Sequence, residues 1–310
     1  MIVVKRLVSS LALLVMVSAI TFFMILLVPG DPAMTAAGPE ATEQQIEETR
    51  QRLGLHDNVV VQFGRWILRA ISGDLGSSLQ GGTSVSQLIS ERFPVTLGLA
   101  LTALSLAVIV AVPAAIIAAA NRGKTVDRLI TLVASAGVAI PTFWLGLMLV
   151  VGFSLYTRVL PSSGYSPFWE DPAEWLRYII MPAVTLAAAP AAEIARQLRG
   201  SMIGVLEQDY VRTATAKGLL PRVVLLKHAL KNAGVPAMTV IGLQATFLLG
   251  GSLIVEQIFG IPGLGALSIN AVLQRDIPVI QGAVLVAGIA VLIVNLLVDL
   301  SYRTFNPKVR

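Results

Sequence analysis

The sequence predicts an all-α membrane protein with six transmembrane helices, and three observations carry that prediction. Hydrophobic residues make up 55% of the chain and charged residues only 13%, where a soluble domain would carry roughly 25% charged. The apolar residues gather into six runs free of charge: Leu7–Gly30, Phe93–Asn121, Leu129–Thr157, Tyr178–Ala192, Asn232–Val255 and Ile277–Val298. The segments between the runs divide the basic residues unevenly, as a chain with a cytoplasmic and an external side requires.

All runs but the fourth exceed the roughly 20 residues that a helix needs to cross the hydrocarbon core. The fourth must extend through Glu193 toward Arg199, which a helix leaving the bilayer into a polar vestibule tolerates. The first run follows Lys5 and Arg6 as a secretory signal would. Its length, and the turn Pro29-Gly30-Asp31-Pro32 after it, indicate a retained helix. With the N-terminus inside, the cytoplasmic segments are 1–6, 121–128, 196–235 and 299–310. These hold all six lysines (Lys5, Lys124, Lys217, Lys227, Lys231, Lys308). Both termini are then cytoplasmic.

The net charge of +5 does not point to nucleic acid, because the positions of the basic residues follow membrane topology. Zero cysteines exclude disulfides and thiolate metal sites, and the two histidines, His56 and His228, fall on opposite predicted sides. Three parts follow: an N-terminal transmembrane helix (1–30), an extracytoplasmic loop subdomain (31–92) and a core of five transmembrane helices (93–310).

Within the loop, Thr42 followed three residues later by Gln45 forms a capping box, and Gly54 a stop, so 42–54 reads as an exposed acidic helix. Asn58–Ile71 is amphipathic, with Phe63, Trp66 and Ile67 placed to lie along a membrane surface. Gly73–Ser78 is a turn cluster.

The polar, basic island Asp209–Pro236 organises the rest. Asp209 suits a helix start, Lys217 and Gly218 a helix end, and Pro221 the first turn of a second helix at the membrane surface. Thr213, Ala214, Thr215 and Ala216 have small side chains, so a short helix over 209–218 can enter a partner's groove closely. A basic loop that merely obeys topology is the alternative at this point.

The pattern Asp-Tyr-Val-Arg-Thr-Ala-x-Ala-Lys-Gly-Leu (209–219), followed by His-Ala-Leu-Lys-Asn-Ala (228–233), resembles the cytoplasmic segment of binding-protein-dependent ABC importer permeases, in its dipeptide/oligopeptide branch. Arg212-Thr213-Ala214 stands where the general Glu-Ala-Ala would be, and Gly218 keeps the glycine. The resemblance spans nearly the whole chain. It includes 29–33 (PGDPA), 73–78 (GDLGSS), 160–165 (LPSSGY), 250–265 (GGSLIVEQIFGIPGLG) and 275–278 (RDIP).

What the resemblance implies is a type I ABC importer permease fold with an extended periplasmic loop after helix one, in a bacterial cytoplasmic (inner) membrane. It implies a coupling helix built from Asp209, Tyr210, Arg212, Thr213, Ala214, Ala216, Lys217 and Gly218. The implied partners are a second homologous permease, two ABC ATPase subunits and an extracytoplasmic substrate-binding protein. The implied cargo is a di- or oligopeptide, with glutathione or nickel complexes as alternatives.

No catalytic motif appears. Ala118–Thr125 is a near miss for a P-loop, but Ala118 replaces the first glycine and the segment ends a membrane helix. The chain is therefore expected to be a transport subunit, not an enzyme, with no cofactor of its own and with ATP and Mg bound by the partner ATPases. The acidic candidates Glu193, Glu256 and Asp299 sit at predicted helix ends, which weighs against an ion-coupled carrier with acids deep in its helices. A scaffold that only assembles partners is the other rival. Gln244, costly to bury unpaired, is the first candidate for a translocation path. Ser252 and Glu256 are candidates for a path or gate, Glu256 at the external end.

Overall fold

The computed structural model describes residues 2–25, 31–38 and 40–305. Among them the only β feature is an isolated bridge between Ser77 and Ser84. In hydrocarbon, backbone N–H and C=O groups must be satisfied within the segment, and helices do so. Contacts divide the chain into two compact units: 1–95 with 262–292, and 96–261 with 293–310.

The first unit opens with α1 (Ile2–Ile25), an apolar helix. The following segment holds α2 (Pro32–Ala37), α3 (Glu43–Arg52) and α4 (Val59–Ile71). The capping box at Thr42 and Gln45 forms as expected, with both reciprocal bonds present, and Gly54 stops the segment at φ +67°. Asn58 caps α4 through Val60 N. Phe63 and Trp66 of α4 join Phe22 and Phe23 of α1 in an aromatic cluster, Phe22 and Phe63 edge-on at 5.3 Å between centroids. One face of α4 is thereby fixed to α1.

The turn cluster after α4 packs on the last elements of this unit, α12 (Leu264–Leu273) and the start of α13 (Ile277–Phe305). Leu75, Val85, Ile89, Leu264, Ala271, Val279 and Ala283 form its core. Asp276, buried, accepts from the Ser78 hydroxyl and from Leu79 N at 3.1 Å, while Gln80 Nε2 donates to Gln274 O. The motifs at 73–78 and 275–278, far apart in sequence, thus meet through one carboxylate.

The second unit is organised on α8 (Pro172–Leu206), a long apolar helix with buried Ala183, Ala187, Ala192 and Ala195. Small residues let neighbouring backbones come close. Gly137 of α6 (Thr125–Ala139) lies over Ala188 O and Ala192, and Gly146 of α7 (Thr142–Leu149) lies over Thr185 and Phe259. The remaining elements are the later part of α5 (Val85–Ala120), α9 (Asp209–Ala216), α10 (Pro221–Val223) and α11 (Leu230–Phe259), with the last part of α13. A core of Ala115, Ala119, Leu198, Met202, Ala229, Ala233 and Ala237 joins α5, α8 and α11.

Among the described residues four helices are long and apolar enough to cross a membrane unbroken: Val85–Ala120, Pro172–Leu206, Pro221–Phe259 and Ile277–Val298. The third predicted helix, Leu129–Thr157, is a broken span: α6 and the stretch Thr142–Tyr156 meet at 100°. Pro141 forces the residue before it out of the helical region, and Ile140 is extended at φ −74°, ψ 123°. Pro182 and Pro190, by contrast, stay inside α8. With α1 these make the six apolar helical regions, and the fourth extends well past Arg199 as its length required.

A second correction concerns the expected surface helix from Pro221. It is continuous with the fifth span: α10 passes through a π-helical turn at Val224–Ala229 straight into α11. Pro221 does sit in the first turn as expected.

Buried charge in the second unit is paired. Asp127, in the first turn of α6, receives Arg199 of α8 through Nε at 2.5 Å and Nη2 at 2.7 Å, and Gly123 N at 2.9 Å. Removing one partner leaves the other unpaired, so Arg199→Met is expected to lower the unfolding temperature. The double change Asp127→Leu/Arg199→Met should recover part of that loss; thermal unfolding in detergent reads both. A Cβ at Gly242 would lie 2.3 Å from Val298 Cγ2. Gly242→Val should therefore lower the unfolding temperature through overpacking worth about 1–3 kcal/mol, with rescue by Val298→Ala.

Candidate coupling surface

The short helix α9 is built locally much as its composition suggests, with one change at its start. Gln208, extended at φ −72°, ψ 148°, is the N-cap and makes no side-chain cap bond; Asp209 is the first helical residue. There its carboxylate still favours the helix dipole. The end closes on Gly218 at φ +78°, with Gly218 N donating to Thr215 O and Leu219 N to Ala214 O. This left-handed cap is where glycine carries least penalty.

The helix shows two faces. Val211 and Ala214 are buried, toward the bundle's own end, where α9 packs against the π turn and α8. Asp209, Tyr210, Arg212, Thr213, Ala216, Lys217 and Gly218 are exposed. Ala214 thus differs from the other expected coupling residues, because its small side chain lets α9 lie close to its own chain. Leu219 and Leu220 extend the exposed face, Leu220 at 69% exposure. An apolar, small-residue, basic surface at a bundle end suits docking of a partner protein.

Two contacts found only in three dimensions hold this helix. Asn232 Nδ2 of α11 donates to Tyr210 Oη at 2.8 Å and also to His228 O. At the same N-terminal end Glu207, between α8 and α9, pairs with Arg122 of the turn before α6. The Arg122 guanidinium beside it holds the Glu207 carboxyl below its ordinary range. The near-miss P-loop segment is thus a turn between α5 and α6 that braces the start of α9. No sequence signal identified Asn232 or Arg122 as partners.

Gln244, Ser252 and Glu256 all lie on α11, and the structure treats them differently. Gln244 is half-buried. Ser252 is buried, its hydroxyl donating to Leu249 O at 3.5 Å. Glu256 is fully buried and accepts from Thr96 Oγ1 of α5 at 2.7 Å. One turn later, Gly260 adopts φ +60° and Ile261 N closes on Glu256 O at 2.9 Å. Gly164 N, from the 160–165 motif, donates to Phe259 O at 2.9 Å. Glu256 therefore sits inside a laced helix end. The hydroxyl of Thr96, one of several intramembrane threonines, gave no sign in the sequence of being its partner.

Comparison with known proteins now adds to this geometry. A model of the binding-protein-dependent transport system inner membrane component matches residues 111–310, and a model of the N-terminal part of such membrane components matches residues 1–100. A protein of Sinorhizobium fredii named "Probable peptide ABC transporter permease protein" is 42% identical, covering 99% of this chain and 98% of that protein. The glutathione transport system permease protein of Escherichia coli is 43% identical over 99% of this chain and 98% of its own length. A solved amino acid ABC transporter with histidines superposes at a TM-score of 0.54 with 18% identity, covering 71% of this chain and 94% of that one. This likeness shows the fold, the type I permease arrangement of helices. The chain belongs to the family of inner membrane components of binding-protein-dependent transport systems.

Proposed function

We propose that the chain is the permease subunit of an ATP-driven importer of di- or oligopeptides, coupled to separate ATPase subunits through α9. The observation that carries this reading is the exposed face of α9: a short helix braced at its N-terminal end, presenting Tyr210, Arg212, Ala216 and Lys217 outward. The two braces hold the start of α9 in one orientation on the bundle. The names of the relatives support peptides as cargo, with glutathione, itself a short peptide, inside the same class.

The mechanism is mechanical. Closure of two ATPases on bound ATP and Mg would push α9, and its braces would carry the displacement to α11 through Asn232 and to the α5–α6 turn through Arg122. The π turn at Val224–Ala229 gives α11 a place to adjust, since such turns often mark functional sites in helices. A second, related permease would complete the pathway and an extracytoplasmic binding protein would deliver the cargo. With Ser252 and Glu256 enclosed, Gln244 is the path candidate, and the Glu256–Thr96 bond holds one end of the bundle. The lysine distribution supports cytoplasmic termini.

The test is purification of the tagged chain in mild detergent from its native membrane. ATPase subunits and a second permease are expected to co-purify, whereas recovery of the chain alone, transporting under an ion gradient, would replace this reading with an ion-coupled carrier. Gly218→Leu meets open space within the chain but must hold φ +78°, at about 1–2 kcal/mol of backbone cost. It should leave the chain in the membrane at normal abundance while reducing substrate-stimulated ATP hydrolysis at least about tenfold. Unchanged hydrolysis and transport would remove the coupling role from α9.

A further inference from the structure

The second unit contains a pocket that the permease reading does not use. It has a volume of about 390 Å³ and lies where the broken span ends and α8 begins, within the roughly 300–1,000 Å³ of small-molecule sites. Its charged lining is Arg158, Arg177 and Glu174; Ser162 and Tyr178 add hydroxyls, and Leu155 and Val159 an apolar wall.

Position along the chain fixes its level. Arg158 directly follows the apolar run that ends at Thr157, and Arg177 directly precedes the run that begins at Tyr178. Both guanidinium groups therefore stand at a boundary between apolar and polar sequence, the depth of lipid headgroups. Leu155 is 63% and Val159 60% exposed, so the apolar wall is open toward the side on which acyl chains would run.

Arg158 adopts φ 54° as the left-handed cap that closes the helix end, with Val159 N donating to Phe153 O at 3.0 Å. Two features indicate a built site. Arg158 makes no ion pair among the described residues. Ser154, also on the lining, has a buried hydroxyl with no hydrogen-bond partner among the described residues, which a polar ligand atom would satisfy.

We propose that this pocket binds the phosphoethanolamine headgroup of a membrane phospholipid. Two guanidinium groups suit a phosphodiester, since arginine recognises phosphate through paired, charge-assisted N–H donors. Glu174 sits 3.2 Å from Arg177 and supplies the negative charge that an ammonium group needs. Two cations and one carboxylate match a phosphate with an ammonium beside it better than they match a headgroup of net negative charge. The acyl chains lie on Leu155 and Val159.

The experiment uses the purified, delipidated complex, or the chain with whatever subunits it retains, and native mass spectrometry. The probes are dioctanoylphosphatidylethanolamine, dioctanoylphosphatidylglycerol, dioctanoylglycerol and free O-phosphoethanolamine. The ethanolamine lipid is expected to bind best and dioctanoylglycerol not at all. Arg158→Gln should weaken both phospholipids about tenfold, the effect of losing one charge-assisted bond. Glu174→Gln should abolish the preference for ethanolamine over glycerol while keeping phospholipid binding, a readout that general unfolding cannot mimic. Equal retention of dioctanoylglycerol would show a pocket that reads chains only, and would overturn the proposal. Tight binding of free O-phosphoethanolamine would move the source from bilayer to solution and overturn the lipid assignment. Binding unchanged in both Arg158→Gln and Arg177→Gln would overturn the site.

Discussion

The second unit depends on how closely helices approach α8. Lipid tails are as apolar as leucine, so burying apolar surface gives helices in a bilayer little reason to associate, and packing must supply it. α8 supplies a column of alanines, with Gly137 and Gly146 from its neighbours set against it. The same economy recurs at Gly242, where α11 passes Val298 with no room for a methyl group. Larger side chains along α8 would push α6 and α11 outward and separate the groups that brace α9.

Charge is handled by pairing at helix ends. Asp127 meets Arg199, Glu256 meets Thr96, and Asp276 meets Ser78, each within one compact unit and each between residues distant in sequence. A lone carboxylate in such surroundings would be expensive to bury. A carboxylate with donors already in place instead fixes the relative position of two elements. These bonds act as registers that helix packing, which is smooth along an alanine surface, does not itself provide.

Backbone irregularities are placed where the helices must depart from straight rods. Pro141 breaks the third span because it follows a residue driven into extended geometry. Pro182 and Pro190 do not break α8, whose surrounding helices hold it on course. The two π turns, at Val150–Tyr156 and Val224–Ala229, fall next to two of the polar clusters: the Arg158 pocket and the base of α9.

The sequence by itself determined the fold class, the number of apolar helical regions, the capping box at Thr42, the amphipathic α4 and the presence of a short helix within 209–218, observed over Asp209–Ala216. All of these depend on local composition and period: charge-free length, cap residues, and glycine where φ turns positive. Tertiary structure alone decided that the stretch after Pro221 runs unbroken into the fifth span, that Pro141 bends its span by 100° while Pro182 and Pro190 stay in a helix, and that Ala214 turns inward. It alone paired Tyr210 with Asn232, Arg122 with Glu207 and Thr96 with Glu256. The physical reason is the same in each case. A proline, a small residue or a hydroxyl has several local outcomes of similar free energy, and the choice among them rests on which distant backbone or side chain is packed against it.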